Sequence, residues 1–366
     1  MRSGHDLHEE FAPRSFATSE GVALEVTNLS VDYGGGTEPL HAVDDVSLVL
    51  RRGEMLGLAG ESGSGKSTLA YAMTRLLRPP GEVTAGQVRY HPRSGPPVDV
   101  LAMTADELRQ FRWTELSIVF QSAMNALNPV MPVRVQIDDV LRAHRPQMDR
   151  QARRERIAEL LGLVGIPADR TKAYPHELSG GMRQRVTIAL ALALEPEIIV
   201  IDEPTTALDV VIQRQILHEI SRLRDQLGFA IVFITHDLSL LIETADTIAI
   251  MYAGRLAELA PARELYRFPR HPYSHGLLNS FPALHGKQSN RTGIPGSPPD
   301  LRAVPDGCPF HPRCRWVHEP CRRLVPALTL SPAPADSPAH QVACHLYGAG
   351  RTAPVSLDLE ASADDA

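Results

Sequence analysis

The segment at residues 60–68, GESGSGKST, constrains the fold of this chain more than any other stretch. It fits the pattern G-x-x-x-x-G-K-[ST] through Gly60, Gly65, Lys66 and Ser67. Its glycines allow positive φ angles, so that successive N–H groups can point at phosphate oxygens. A short apolar strand precedes the segment and helical spacing follows it, which places a helix N-terminus at the phosphate. The sequence therefore predicts a nucleoside-triphosphate site in which Lys66 reaches the β- and γ-phosphates and Ser67 holds Mg²⁺.

The composition indicates a globular chain with a sizeable core. It has 366 residues, 43% hydrophobic and 22% charged, and a net charge of −6. Basic residues form no long run, which argues against a nucleic-acid-binding surface. No run approaches the roughly 18 apolar residues that a membrane span requires, and the polar start lacks an apolar signal core. These features predict a cytosolic location.

Two apolar runs predict buried parallel strands that end in chemically useful side chains. Residues 198–201 are followed by Asp202 and Glu203, and residues 229–234 are followed two positions later by His236. Asp202 could give Mg²⁺ a second anionic partner, and Glu203 could orient and deprotonate a water molecule. Because strands alternate with helical patterns, a mainly parallel, doubly wound sheet is expected.

Three further features have ordinary explanations when each is considered alone. Tyr33 ends a strand, as a half-buried aromatic often does, and His236 by itself resembles a packing residue. Residues 178–184, LSGGMRQ, open a helix as either an anion-binding nest or a simple Ser N-cap.

Gln121 follows a predicted strand, and residues 122–137, rich in Met, Asn and Pro, predict a loop. Two helical patterns then indicate a helical insertion in the α/β domain.

These motifs, in their order along the chain, resemble those of the ATP-binding cassette family over about residues 22–275. The matching elements are the phosphate loop, Gln121, the signature at 178–184, the strand ending at Glu203, the loop at 207–209 and His236. The resemblance implies an α/β nucleotide-binding domain of the ABC type. Such a domain has a RecA-like, mainly parallel sheet core, an antiparallel β subdomain and an inserted helical signature subdomain, here at about 122–190.

The resemblance also implies a role for each matching residue. The ATP-binding residues would be Tyr33, stacked on adenine, together with Gly60, Ser62, Gly63, Ser64, Gly65, Lys66, Ser67, Thr68, Gln121, Asp202, Glu203 and His236. Mg²⁺ would be bound by Ser67, Gln121 and Asp202. Glu203 would be the general base, with Lys66 and His236 also catalytic. In a head-to-tail dimer, Ser179, Gly180, Gly181 and Gln184 would complete the partner's ATP site, and Asp209 would belong to the loop that follows the catalytic strand.

Five stretches resemble one subfamily, the oligopeptide, dipeptide and nickel importers. They are residues 120–129, 174–177, 270–273, 294–299 and 307–314. This resemblance implies an ATPase subunit that powers peptide import from the cytoplasmic face of the cytoplasmic membrane, as a peripheral protein. Its partners would be two transmembrane permease subunits, a second and different ATPase chain and an extracytoplasmic peptide-binding protein, with no nucleic acid.

Three other functions remain open at this point. The chain could serve a nickel or other small-solute importer, be a soluble cassette ATPase of translation or DNA repair, or use a cluster for redox chemistry. The predicted domain organisation is a disordered tail at 1–20, the ATPase domain at 21–275, a C-terminal extension at 276–347 and a second disordered tail at 348–366.

All four cysteines lie in the extension, with the spacing C-x5-C-x6-C-x22-C. They are Cys308, Cys314, Cys321 and Cys344. Four thiolates in a Pro-rich segment could bind an iron–sulfur cluster or tetrahedral zinc, or could remain unligated. The spacing fits neither zinc ribbons nor the ferredoxin run. The resemblance to peptide importers that contain such a cluster favours [4Fe-4S], with a structural or redox-sensing role.

Overall fold

The computed structural model gives the fold of most of the chain. The residues that it describes are 21–34, 39–121, 126–204, 210–280, 293–331 and 340–347. The two tails predicted to be disordered, at residues 1–20 and 348–366, therefore lie outside the described residues.

The described residues form strands and helices that alternate through most of the chain. The strands are β1 (Val22–Tyr33), β2 (Leu40–Arg51), β3 (Met55–Ala59), β4 (Gly81–Tyr90), β5 (Val98–Asp99), β6 (Leu116–Val119), β7 (Ile198–Asp202), β8 (Ala230–Ile234), β9 (Thr247–Tyr252), β10 (Arg255–Pro261), β11 (Thr329–Leu330) and β12 (Gln341–Val342). The helices are α1 (Lys66–Met73), α2 (Ala105–Thr114), α3 (Val133–His144), α4 (Arg150–Leu163), α5 (Gly180–Ala191), α6 (Val210–Leu227), α7 (Leu238–Thr244), α8 (Ala262–Arg267) and α9 (Pro272–Ser280).

The larger sheet has eight strands in the order β11-β12-β10-β9-β3-β8-β7-β6. The run from β9 to β6 is parallel, and β10, β12 and β11 pair antiparallel at one edge. Every residue of β3, β7 and β8 is buried, because central parallel strands are covered on both faces. This arrangement confirms the predicted α/β fold with a mainly parallel sheet.

The smaller sheet is antiparallel, with the order β2-β1-β4-β5. Its inward residues Leu24 and Leu50 share one hydrophobic core with Leu58 of β3 and with Leu69 and Met73 of α1. Helix α1 is therefore fixed by packing against both sheets, and the loop before it begins from a rigid frame.

Helices α3, α4 and α5 form the predicted helical insertion between β6 and β7. The loop predicted for residues 122–137 is wrong over residues 133–137, because α3 begins at Val133. Pro132 precedes this helix, and Val133, Ile137 and Leu141 recur at helical spacing and are buried. Pro132 therefore marks the start of a helix and does not belong to a longer loop.

The C-terminal extension completes the larger sheet, because β12 pairs with β10. Glu258 on β10 is fully buried and accepts a hydrogen bond from His340 Nε2 at 2.6 Å. Its carboxylate also accepts the backbone N–H groups of Arg270 and His271, at 2.7 and 2.9 Å. Among the described helices, none combines the length and apolar character needed to cross a bilayer.

Candidate functional site

The phosphate loop connects β3 to α1 and depends on two glycines with positive φ. Gly60 has φ 147°, and a Cβ atom there would lie 2.3 Å from the carbonyl oxygen of Met251. Gly65 has φ 102°, and its Cβ would lie 2.3 Å from the carbonyl oxygen of Ala42. Only glycine combines these φ angles with such close approach of the backbone. The loop is therefore shaped by its packing against neighbouring strands.

Lys66 lies over this loop and is almost completely buried. Its ammonium group donates hydrogen bonds to the carbonyl oxygens of Gly60 and Glu61, both at 2.9 Å, and to Ser64 Oγ at 3.3 Å. Burial lowers the pKa of Lys66, while the nearby carboxylates, Glu203 first among them, act in the opposite direction. The positive charge is thus concentrated at the concave side of the loop, where phosphate oxygens would bind.

Ser67 and Asp202 are brought together as the sequence predicts. The Ser67 hydroxyl donates to Asp202 Oδ1 at 3.1 Å, and Asp202 is fully buried. Burial raises the pKa of Asp202, and hydrogen bonding to Ser67 and Tyr71 acts against this rise. Burial likewise raises the pKa of Tyr71 to about 12. A buried carboxylate beside a hydroxyl is a suitable pair of oxygen ligands for Mg²⁺.

Glu203 is the centre of a polar cluster at the carboxyl ends of adjacent strands. Gln121 Nε2 donates to Glu203 Oε2 at 2.8 Å, and His236 Nδ1 lies 3.4 Å from Glu203 Oε1. Glu203 has φ 41°, a left-handed conformation that is unfavourable for a side chain of this size and is typical of functional sites. The backbone N–H of Glu203 donates to the carbonyl of Ile234 at 2.9 Å, which holds this conformation in place.

The structure also describes the surroundings of the other residues of the predicted ATP site. Tyr33 is half-buried at the end of β1, beside Gly81 and within electrostatic range of Tyr71. Its predicted contact with adenine stays a prediction. Thr68 is half-buried in the first turn of α1, and Ser62 and Gly63 are exposed at the tip of the loop.

The signature opens α5 in the helical part of the molecule. Ser179 is the N-cap of this helix and accepts the N–H of Met182 at 3.3 Å. Ser179 is exposed and both following glycines, Gly180 and Gly181, are half-buried, so these three residues lie at the surface. Gln184 is instead fully buried, because it lies on the inward face of α5. The predicted part of Gln184 in a partner's ATP site stays a prediction. The predicted role of Asp209 lies outside the described residues.

Two family models match separate parts of the chain. A model described as ABC transporter matches residues 43–206, and one described as oligopeptide/dipeptide transporter, C-terminal region, matches residues 257–321. A putative peptide import ATP-binding protein of Brucella ovis is 44% identical over 83% of this chain and 93% of that protein. The chain belongs to the ABC transporter family. Its C-terminal match places it in the branch that carries the oligopeptide/dipeptide transporter region.

Two other relatives and two solved structures support the family membership. The dipeptide transport ATP-binding protein DppD of Caldanaerobacter subterraneus is 39% identical over 90% of this chain and 98% of that protein. The oligopeptide transport ATP-binding protein OppD of Mycobacterium tuberculosis is 44% identical over 83% of this chain, which spans 49% of that protein. The ATP-binding cassette MJ0796 bound to ADP and Pi has a TM-score of 0.57 at 30% identity, covering 66% of this chain and 99% of that one. CbiO1 of Clostridium perfringens has a TM-score of 0.58 at 25% identity, covering 68% and 92%.

The four cysteines of this ABC ATPase lie around one cavity in the extension. Burial raises the pKa of Cys308 and Cys314 to about 11 and that of Cys344 to about 12. Cys321 Sγ is 3.3 Å from His318 Nδ1. Within the described residues, no group of three or more His, Cys, Asp or Glu side chains is arranged to hold a metal ion. The iron–sulfur or zinc ligation therefore stays a prediction.

Sequence reasoning missed the contacts that join the extension to the phosphate loop. Arg313 forms an ion pair with Glu61, at 2.7 Å, and the Tyr273 hydroxyl accepts the N–H of Glu61 at 2.8 Å. Both residues lie in stretches that resemble the peptide-importer subfamily, at 270–273 and 307–314. That resemblance was the available signal, but it gave neither residue a role.

Proposed function

We propose that this chain is the ATP-hydrolysing subunit of an ABC importer for dipeptides and oligopeptides. The observation that carries the proposal is the combination, in one chain, of the clustered Lys66, Asp202 and Glu203 with the C-terminal region of oligopeptide/dipeptide transporters. The relatives reported above are named for peptide import and peptide transport, which favours peptide over nickel as cargo.

ATP would be held by its phosphates at the loop between β3 and α1. The backbone N–H groups of the loop and the N-terminus of α1 would bind phosphate oxygens, and Lys66 would move from the loop carbonyls to the β- and γ-phosphates. Asp202, Ser67 and Gln121 would hold Mg²⁺. The buried Asp202 carboxylate fits this role, since Ser67 is its hydrogen-bond partner on one oxygen. Bound Mg²⁺ would neutralise charge on the phosphates.

Glu203 would act as the general base in hydrolysis. A water oxygen attacks the γ-phosphorus, one water proton passes to a Glu203 carboxylate oxygen, and the bond to the β-phosphate oxygen breaks to release ADP. Gln121 and His236 flank the two carboxylate oxygens, so they orient Glu203 toward the attacking water. His236 is 63% exposed, so its ring would have room to turn toward the γ-phosphate.

Hydrolysis would require a second cassette. Ser179, Gly180 and Gly181 are presented at the N-terminus of α5, and they would complete the ATP site of a partner ATPase chain. Two transmembrane permease subunits and an extracytoplasmic peptide-binding protein would supply the path and the cargo. The chain would then be a peripheral protein at the cytoplasmic face of the membrane. Residues 21–275 would be its ATPase domain and residues 276–347 its extension.

We also propose that the cysteine cavity holds a [4Fe-4S] cluster. All four thiols line the same cavity, and the pKa of Cys344 is raised first by burial and then, to a smaller extent, by the three neighbouring thiols. Such a cluster would take one thiolate per iron, and the four thiols around this cavity could supply them. Anaerobic purification should give about four irons and matching sulfide per chain. Zinc, or no metal, would overturn this assignment and leave the ATPase proposal intact.

The proposed transport function is tested in the complex with its membrane subunits. Glu203→Gln should keep ATP binding and lower the hydrolysis rate by a factor on the order of 10² to 10⁴, and Lys66→Ala should weaken binding itself. Glu159→Gln, an exposed residue that pairs with Arg156 at 2.9 Å, is the matched control and should keep full activity.

The cargo is tested by uptake into vesicles that contain the complex and its peptide-binding protein. ATP-dependent uptake of a labelled dipeptide or oligopeptide, lost in Glu203→Gln, is the expected result. Uptake of Ni²⁺ without peptide would replace the cargo assignment. Activity that survives Lys66→Ala and is lost on replacing the cysteines would overturn the ATPase function itself.

A further inference from the structure

Arg313 of the C-terminal extension forms a bidentate ion pair with Glu61 of the phosphate loop. Its Nη1 lies 2.7 Å from Glu61 Oε2, and its Nη2 lies 3.0 Å from Glu61 Oε1. Glu61 is the second residue of the loop that begins at Gly60. The Arg313 side chain is only 6% exposed and that of Glu61 is 26% exposed. Paired hydrogen bonds of this kind fix the direction of both side chains as well as holding them together.

The guanidinium group is itself held rigidly by the extension and the sheet. Arg313 Nε donates to the carbonyl of Pro295 at 2.8 Å, and Nη1 donates to the Tyr252 hydroxyl at 3.3 Å. The group also lies over the aromatic rings of Tyr252 and Phe310, 5.8 and 5.9 Å from their centres. Arg313 therefore contacts Glu61 from a fixed position.

Glu61 also contacts Lys66, the residue predicted to bind phosphate. Its N–H donates to Tyr273 Oη at 2.8 Å, and its carbonyl accepts the Lys66 ammonium at 2.9 Å. The extension and α9 thus hold Glu61 by its side chain and its N–H, while Lys66 rests on its carbonyl. Moving Glu61 would move the group on which Lys66 lies.

We propose that Arg313 is a positioning residue for nucleotide binding, which it controls through Glu61. It holds the first turn of the phosphate loop in the conformation that receives phosphate, and it neutralises a carboxylate that would otherwise face the bound polyphosphate. The inference rests on the proposed ATPase function, and it gives the extension a direct part in the ATP site. In this role Arg313 acts only through the loop.

The test is nucleotide affinity of the full-length chain, measured by calorimetric titration with Mg²⁺-ADP and Mg²⁺-ATP. Arg313→Ala should weaken binding about tenfold, in the range of coupling found between residues in contact. Arg313→Lys keeps the positive charge but cannot form the bidentate pair, so its nucleotide affinity should lie between those of Arg313→Ala and the wild type. Arg323→Ala removes an exposed pair with Glu319 on the same extension and should leave affinity unchanged.

The decisive variant is the double replacement Arg313→Ala with Glu61→Gln. If the uncompensated Glu61 carboxylate causes the loss, removing its charge should restore affinity toward that of the wild type. Thermal unfolding of each variant reports the structural role separately. An Arg313→Ala protein with lowered stability and unchanged affinity would overturn the proposal, as would a double variant that binds more weakly than Arg313→Ala.

The same titrations separate a failure of the positioning role from a failure of folding or of the ATPase function. If Arg313→Ala does not fold, Arg313→Lys carries the test, and a folded Lys variant with wild-type affinity would overturn the proposal. If the wild-type chain binds no nucleotide, the ATPase function fails. Normal binding by the wild type that is insensitive to Arg313 removes only the positioning role.

Discussion

Acid should weaken the attachment of the C-terminal extension through His271. This residue is 3% exposed, and burial lowers its pKa to about 4. Its Nδ1 accepts the N–H of Tyr273 at 3.0 Å, and the ring also hydrogen-bonds the backbone of Ala343, beside β12. Because Nδ1 already acts as an acceptor, a proton there would break the bond to Tyr273. The folded extension therefore favours neutral His271.

The size of the effect follows from the difference between the two pKa values of His271. The ordinary value is about 6.5 in an unfolded chain, and the folded value is about 4. Between these values the unfolded state binds more protons, so the stability that is present above pH 6.5 is lost as the pH falls toward 4. From pH 7 to pH 5 the loss is about 2 kcal/mol.

Hydrogen exchange at Ala343, directly after β12, measures this loss of stability at the point where His271 contacts the extension. The Ala343 N–H donates to the carbonyl of Ala257 at 2.9 Å, so its protection reports the opening of this edge of the sheet. The opening free energy at pH 7 and pH 5 is compared for the wild type and His271→Gln, which does not titrate in this range. The variant should lose most of the pH dependence. An equal decline in both proteins would refute the role of His271.

Two other predictions test the core and the cysteine cavity. Arg224→Met removes a buried guanidinium 2.7 Å from Asp246 and should lower the free energy of unfolding by about 3 kcal/mol. Arg222→Ala, two residues away in an exposed pair with Glu219, should cost less than about 1 kcal/mol in the same denaturant titration, and equal losses would contradict this reasoning. In metal-free protein at pH 8, the raised pKa of Cys314, about 11 against 9.0, should slow alkylation about 100-fold relative to an ordinary thiol. Alkylation as fast as in unfolded protein would show that the thiol is not buried.

The sequence was sufficient for those parts of the site that lie within local motifs. Apolar runs identified β7 and β8 because every position of these strands is buried. The position of Asp202 at the end of β7 predicted that it would lie near Ser67, and the Ser67 hydroxyl does hydrogen-bond its carboxylate. Glycine spacing likewise predicted the phosphate loop.

The missed features depend on contacts between distant parts of the chain. Strands β11 and β12 have two residues each, too few to show a period, and they form only because β10 offers an open edge. The pair of Arg313 and Glu61 joins residues 252 positions apart. The burial of Gln184 follows from how α5 faces its neighbours, which a signature motif does not reveal.

The strand order has a consequence for how the chain is made. Strand β3, at the middle of the larger sheet, is synthesised early, whereas β12, which covers the edge of β10, leaves the ribosome about 80 residues after β10 is complete. At 5–20 residues per second this interval lasts about 4 to 16 seconds. During that time the exposed edge of β10 carries the carboxylate of Glu258 without His340. A carboxylate on an open edge discourages pairing with another nascent chain, so we expect the residue that later anchors the extension to protect the unfinished sheet from aggregation as well.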